Sequence, residues 1–159
     1  MTKQTITIEV QNKELLDTLH RVVNALSDMR PVMQTIGHEL EGRIKDRFET
    51  ETNPNGQKWA PWAESYDPAK GGDRPTDGNT TILDLYGDML DSLNWQTDGD
   101  DAVLVGFGKD YAAYHEYGTK SMRRRSMLFA EPERGTLGDD DEQALLDLLE
   151  GYLSGAISG

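Results

Sequence analysis

The apolar residues of this chain change period along its length, and the order of the changes limits what it can fold into. Leu15, Leu16, Leu19, Val22, Val23 and Leu26 recur at three- and four-residue steps, which places them on one helical stripe. With Asn12 available as a cap, the spacing predicts a helix from about Lys13 to about Ser27. Pro31 suits the first turn of a second helix, in which Val32, Ile36, Leu40, Ile44 and Phe48 step by four. Such a row drifts around the axis, so this helix is expected to cross its neighbours obliquely. Arg43, Lys45 and Arg47 lie near its end, where cations favour the helix dipole.

Elsewhere the period is two. Ile6, Ile8 and Val10 alternate within Thr5–Val10, a strand pattern. Leu93, Trp95 and Thr97 alternate before Asp98-Gly99, and Val103, Val105 and Phe107 alternate after it. That predicts a β-hairpin from about Leu93 to about Gly108. A helix is read over Ile82 to Leu93, with Leu83, Tyr86, Leu90 and Leu93 on one face and Gly87 weakening it. A short helix is read around Tyr111 to His115, ending at Gly118. Asp139, Asp140, Asp141 and Glu142 crowd the start of a last helix, where anions suit the dipole, and Leu145, Leu148, Leu149, Tyr152, Leu153 and Ala156 form its stripe.

Residues 52–81 show neither period. They hold Asn53-Pro54-Asn55-Gly56, Asp67-Pro68, Gly71-Gly72 and Asp77-Gly78, all turn chemistry. A loop of this length inside one domain is usually functional or disordered. It also carries Trp59 and Trp62, which either fold back onto the domain or anchor the loop in a partner. The whole chain, 1–159, is therefore expected to be a single α+β domain. Its helices pack on a small antiparallel sheet containing a hairpin, with one long loop.

The net charge is −13, from 29 Asp and Glu against 16 Lys and Arg. That balance keeps a protein soluble and repels nucleic acid and anionic membrane. Binding to phosphate backbones needs several cations on one face, and the one basic run, Arg123-Arg124-Arg125, is short. With no cysteine in the sequence, disulfides, zinc–thiolate sites and cysteine nucleophiles are excluded. The first ten residues lack the apolar stretch of a signal peptide, and no apolar run reaches the length of a membrane span. Residence in the cytoplasm is the expectation.

Motifs for chemistry are fragmentary. Gly106-Phe107-Gly108-Lys109 is a piece of a phosphate loop, better read as a strand end. His38-Glu39 and His115-Glu116 lack the second histidine of a zinc-protease helix, and His20 has no matching ligand. Asp73, Asp77, Gly78 and Asp84 partly fit a calcium loop, but Pro75 falls where a ligand is needed. Asp98, Asp100 and Asp101 read as a hairpin turn. No catalytic, cofactor-binding or metal-ligating residue is singled out. What stands out is aromatic and basic: Tyr111, Tyr114, His115 and Tyr117, with Arg123, Arg124 and Arg125 close behind. Tyr and Arg are enriched where proteins bind proteins. Together with Trp59 and Trp62 these residues form the candidate partner interface. The competing reading packs two of the tyrosines in the core and leaves the arginine run as a solvated loop.

Three segments also resemble a known family. Asn53-Pro54-Asn55-Gly56-Gln57-Lys58-Trp59-Ala60-Pro61-Trp62 resembles a Pro-x-Gly-x-x-Trp-x-Pro-Leu stretch. Ile82-Leu83-Asp84-Leu85-Tyr86-Gly87-Asp88-Met89-Leu90-Asp91-Ser92-Leu93 resembles an Ile-Leu-x-x-x-Gly-x-Leu-x-x-Ser-Ile stretch. Tyr111-Ala112-Ala113-Tyr114-His115-Glu116-Tyr117-Gly118 is similar to a Tyr-Ala-x-x-His-x-x-Gly stretch. The family is the virion morphogenesis, or tail completion, proteins of contractile-tailed phages of the Mu type. Where it usually has Arg-Pro-Phe-Leu, this chain has Arg125-Ser126-Met127-Leu128. The resemblance implies a non-enzymatic structural protein, without cofactors, that finishes the tail or neck so that filled heads join tails. It implies neck or tail proteins as partners, a homo-oligomeric ring around the DNA channel, and residence in the virion or the bacterial cytoplasm during assembly. No membrane and no sequence-specific nucleic-acid contact is implied. Two other readings stand beside it. One is an acidic adaptor or inhibitor of a basic protein, though the Asp and Glu are spread along the chain. The other is a metal-dependent hydrolase using the plentiful carboxylates.

Overall fold

The computed structural model describes residues 13–67, 70–72, 81–84 and 87–159. The expected strand at Thr5–Val10, and Asp73, Asp77 and Gly78 of the calcium-like loop, lie outside the described residues. The elements are α1 (Lys13–Ser27), α2 (Arg30–Thr50), α3 (Asp88–Asp91), β1 (Leu93–Asp98), β2 (Ala102–Phe107), α4 (Ala112–Tyr117) and α5 (Asp139–Ser158). The expected α+β class holds: helices pack against a two-stranded antiparallel sheet.

The central element is α2. It starts with Pro31 in its first turn and ends where Glu51 turns left-handed at φ 54°. Its four-step row buries Val32, Ile36, Ile44 and Phe48, and this side faces the hairpin and α5. In the hairpin Leu93 pairs with Phe107 and Trp95 with Val105, so these four side chains share one face. Leu104, on the other face, is exposed. The approach of α2 to β1 is close enough to require glycine: a Cβ on Gly37 would lie 2.4 Å from the Trp95 ring. Trp95 is fixed there by His38, edge-on at 4.6 Å, and by a bond from its indole N–H to Glu41 at 3.1 Å. Lys45 bonds the same carboxyl and, with its charge and the indole, holds Glu41 below the usual carboxylate range.

Ile82 to Leu93 is not one helix. Among its described residues only Asp88–Asp91 is helical. Leu83 has φ 65° and Gly87 φ 80°, and left-handed residues cannot continue a right-handed helix. Tertiary contacts fix this course. The Ile82 N–H donates to the Glu51 carboxylate at 2.8 Å, Ile82 enters the core, and Leu93 opens β1 rather than closing a helix. The segment after α2 is also more ordered than its composition implies. Asn53 Oδ1 accepts the N–H groups of Asn55 and Gln57, both at 3.0 Å, while Trp59 N–H returns to Glu51 O at 2.8 Å. Trp59 thereby folds back beside Phe48, Met89, Leu93 and Met127 in the core.

One buried charge ties α5 to α2. Asp141, in the first turn of α5, is 0% exposed. One of its carboxylate oxygens accepts from Arg43 Nε at 2.7 Å and the other from Arg47 Nη2. Arg47 Nη1 donates to Met127 O at 2.7 Å. Taking charges out of water costs several kcal/mol per ion, so such a set is stable only when each member is paired. Here it is, and the α5 dipole adds to it. Replacing Asp141 with Ala strands two guanidinium groups, one of them buried, and is expected to lower stability by about 3–5 kcal/mol. Urea unfolding checks this. Asp141→Ala at wild-type stability contradicts it.

Candidate functional site

Apart from Trp59 and Trp62, the aromatic and arginine residues singled out in the sequence lie on or beside α4 and in the irregular segment after it. Ala112 and Glu116, one helical turn apart, face inward and are buried. The opposite side of the helix therefore turns Tyr111, Tyr114 and Tyr117 outward, and all three are exposed. The competing reading fails for the tyrosines, none of which is in the core; its solvated arginine run holds for Arg123 and Arg124, which are exposed, and fails for Arg125, which is buried.

Glu116 organises the backbone of residues 127–129. Its carboxylate accepts the Met127 N–H at 2.6 Å, the Leu128 N–H at 3.1 Å and the Phe129 N–H at 2.9 Å. Three backbone donors on one ionised acceptor are strong, charge-assisted bonds. Arg125 is held from both ends. Its N–H reaches His115 O at 2.8 Å, and its guanidinium donates to Ala60 O at 2.8 Å and Pro61 O at 2.7 Å. Trp59 Nε1 donates to Ser126 O at 3.0 Å. Residues 125–129 are thus stitched to α2, α4 and the loop at residues 59–61.

Beside this stitching lies a cleft of about 830 Å³, which Pro61, His115 and Arg125 of the stitched segments reach. Trp62, Tyr66, Leu83, Met89, Tyr111, His115, Met122, Arg123 and Arg125 line it. Trp62 leans on Tyr66 at 5.6 Å, and His115 meets Tyr111 edge-on at 6.5 Å. The His115 Nδ1 is buried without a hydrogen-bond partner. Burial, and then the Arg125 charge, push its pKa below the ordinary value. Burial also lowers Arg125, as does the neighbouring Arg123.

Of the nine candidate interface residues, Trp62, Tyr111, His115, Arg123 and Arg125 come together at the cleft. Tyr114 stands on the outer side of α4, and Tyr117 lines a smaller hollow beside Phe107 and Phe129. Arg124 points elsewhere and pairs with Glu133 at 3.0 Å. Trp59 serves the core. Glu116 and Asp141, which hold the site together, are not apparent in the sequence. The one cue is that Glu116 stands near the end of its helix, where an anion opposes the dipole. Among the described residues no cluster of three His, Asp or Glu is arranged to hold a metal. Aromatic rings, thioethers and guanidinium groups are suited to gripping apolar and anionic surface.

Fold and cleft together define a small α+β protein with an aromatic, arginine-bearing cleft. The chain belongs to the phage virion morphogenesis family, whose model matches residues 10–154. It is 24% identical to the Mu-like prophage FluMu G protein 2 of Haemophilus influenzae, over 92% of this chain and 95% of that one. It is 30% identical to the putative capsid assembly protein G of Escherichia phage Mu, over 80% and 81%. No solved structure matches it.

The lowered His115 value has a consequence for stability. The unfolded chain takes up this proton first as pH falls, so folding is favoured above the ordinary histidine range and loses that contribution on acidification through it. Unfolding midpoints measured from about pH 8 to about pH 5 are expected to fall, and less so in His115→Gln. Equal slopes in both proteins contradict the assignment.

Proposed function

We propose that this protein completes the tail or neck of a contractile-tailed phage particle and supports the joining of filled heads to tails. The observation that carries the reading is the family match over nearly the whole chain. The relative from phage Mu is described as a capsid assembly protein, which agrees with an assembly role. The exposed tyrosines of α4 and the arginine-bearing cleft support it, since these residue types supply most binding energy between proteins. In this reading the protein works without catalysis or cofactor, as a subunit of a homo-oligomeric ring contacting neck or tail proteins. It resides in the virion, and in the host cytoplasm during assembly.

The net charge of −13 fits a subunit beside a DNA channel, because an acidic wall does not hold the passing duplex. Among the described residues no helix is long and apolar enough to cross a membrane. The test is genetic. With the gene deleted from its resident phage, the lysate is expected to contain filled heads and separate tails by electron microscopy. Normal infectious particles contradict the proposal.

A further inference from the structure

We infer that Thr5–Val10 of one copy adds as a third strand to the hairpin of the next, so that copies associate head to tail through this arm. The inference rests on the ring reading above and specifies its contact. The receiving surface is the free edge of β1. Gly108 N–H donates to Ser92 O at 3.0 Å, so in the register of the hairpin Asn94, Gln96 and Asp98 also turn their backbone groups toward β2. Leu93, Trp95 and Thr97 turn theirs outward, where among the described residues they meet no partner. An edge left in this state is a template for another chain, and main-chain bonds supply the affinity when an extended segment adds to it.

Sequence and charge select the occupant. Thr5–Val10 lies outside the described residues, and in its sequence Ile6, Ile8 and Val10 alternate with Thr5, Thr7 and Glu9. Laid antiparallel on β1 with Ile8 opposite Trp95, it sets Ile6 opposite Thr97 and Val10 opposite Leu93, on the face that α2 covers. Thr5, Thr7 and Glu9 then stand opposite Asp98, Gln96 and Asn94, on the polar face. A slip of one residue reverses both matches. The edge of β2 fits less well, because its open face carries the exposed Leu104. The same register brings Lys3 to the acidic hairpin turn. There Arg30 pairs with Asp100, while Asp98 and Asp101 have no ion pair among the described residues.

The arm comes from another copy. α1 and α2 lie one after the other along α5, both antiparallel to it. Asp141 meets Arg43 and Arg47, Tyr152 Oη donates to Asp28 O at 2.6 Å and Ala25 O at 3.3 Å, and Arg21 Nε donates to Ala156 O at 3.1 Å. The start of α2 is held at the hairpin turn by the Arg30–Asp100 pair, and Gly37 and Glu41 follow at Trp95. α1 therefore projects past the turn, by about 22 Å at 1.5 Å per residue. Leu93 lies at the other end of β1, about 17 Å further off. Between Val10 and Lys13 stand only Gln11 and Asn12, a reach of about 10 Å. In its own copy the arm cannot lie on β1 in this register. The contact is heterologous, so every copy gives an arm and receives one, and the product is a ring or a filament rather than a closed dimer.

The absence of cysteine allows a direct test. Thr7 and Gln96 would form the closely spaced kind of antiparallel pair, within disulfide reach. Full-length Thr7→Cys and Gln96→Cys chains, mixed and oxidised, are expected to give a mixed disulfide dimer, counted by mass spectrometry. Glu9→Cys in place of Thr7→Cys should link roughly tenfold less, because it stands two residues out of register. Adding Ile8→Pro to the Thr7→Cys chain should abolish the link, since proline cannot donate to the ladder. In sedimentation velocity, wild type should form species larger than dimers as concentration rises. Thr97→Pro, whose lost N–H points away from β2, should weaken this association by about tenfold at an unchanged thermal melt. Mixed linkage no greater for Thr7→Cys than for Glu9→Cys would overturn the contact. So would linkage confined to single chains carrying both Thr7→Cys and Gln96→Cys, which would put the arm on its own hairpin. Either result, beside separated heads and tails on gene deletion, removes this contact and leaves the assembly role standing. Linkage as expected beside normal particles on deletion keeps the contact and removes the assembly role.

Discussion

A carboxylate with no exposed surface must find its countercharges inside the protein. Asp141 finds them on α2, in Arg43 and Arg47, one helical turn apart. Because Arg47 also binds the Met127 carbonyl, a single buried group fixes the start of α5, the C-terminal turns of α2 and the segment after α4 together. Hydrophobic burial alone would not set that register, since it is non-directional. The Glu116 carboxylate repeats the device a few residues away, holding the N–H groups of Met127, Leu128 and Phe129. Met127, fully buried between the two, is where the polar bonds and the apolar core meet.

One side of the cleft, at His115 and Arg125, adjoins this arrangement. Residues 125–129 carry no regular secondary structure of their own, so their backbone groups need partners elsewhere in the fold. Carbonyls of the loop at residues 59–61 bind Arg125, and the Trp59 indole binds Ser126. Where Arg125 and His115 reach the cleft, they are therefore mounted on braced backbone. Rigid mounting lowers the ordering cost when such a surface meets a partner.

Elements whose side chains follow a long period were legible in the sequence. The stripes of α1, α2 and α5 and the alternation of the hairpin each indicated nearly the observed bounds. What was not legible depended on contacts distant along the chain. Ile82 to Leu93 carries a helical period, yet the Glu51 carboxylate and the core draw Ile82 aside, and Leu83 and Gly87 turn left-handed. Trp59 lies in a turn-rich stretch, but its ring belongs to the core. Arg47 and Asp141 look like ordinary dipole-matching charges at two helix ends, and only their meeting in space makes them a buried pair. The clustering of Tyr111, His115, Arg123 and Arg125 was visible as composition. Their sorting into cleft, outer face and structural ties was set by Glu116, whose partners lie 11 to 13 residues on. Within Arg125-Ser126-Met127-Leu128, the Ser126 carbonyl takes the Trp59 indole and Met127 fills the core.

The measurement closest to the centre of this account is amide hydrogen exchange at Met127, Leu128 and Phe129. If the Glu116 carboxylate and the Arg47–Asp141 pair hold this segment, its amides should exchange as slowly as those of α2, despite lying outside any helix or strand. Exchange at the rate of an open loop would contradict the account, because the two buried carboxylates would then hold no fixed segment.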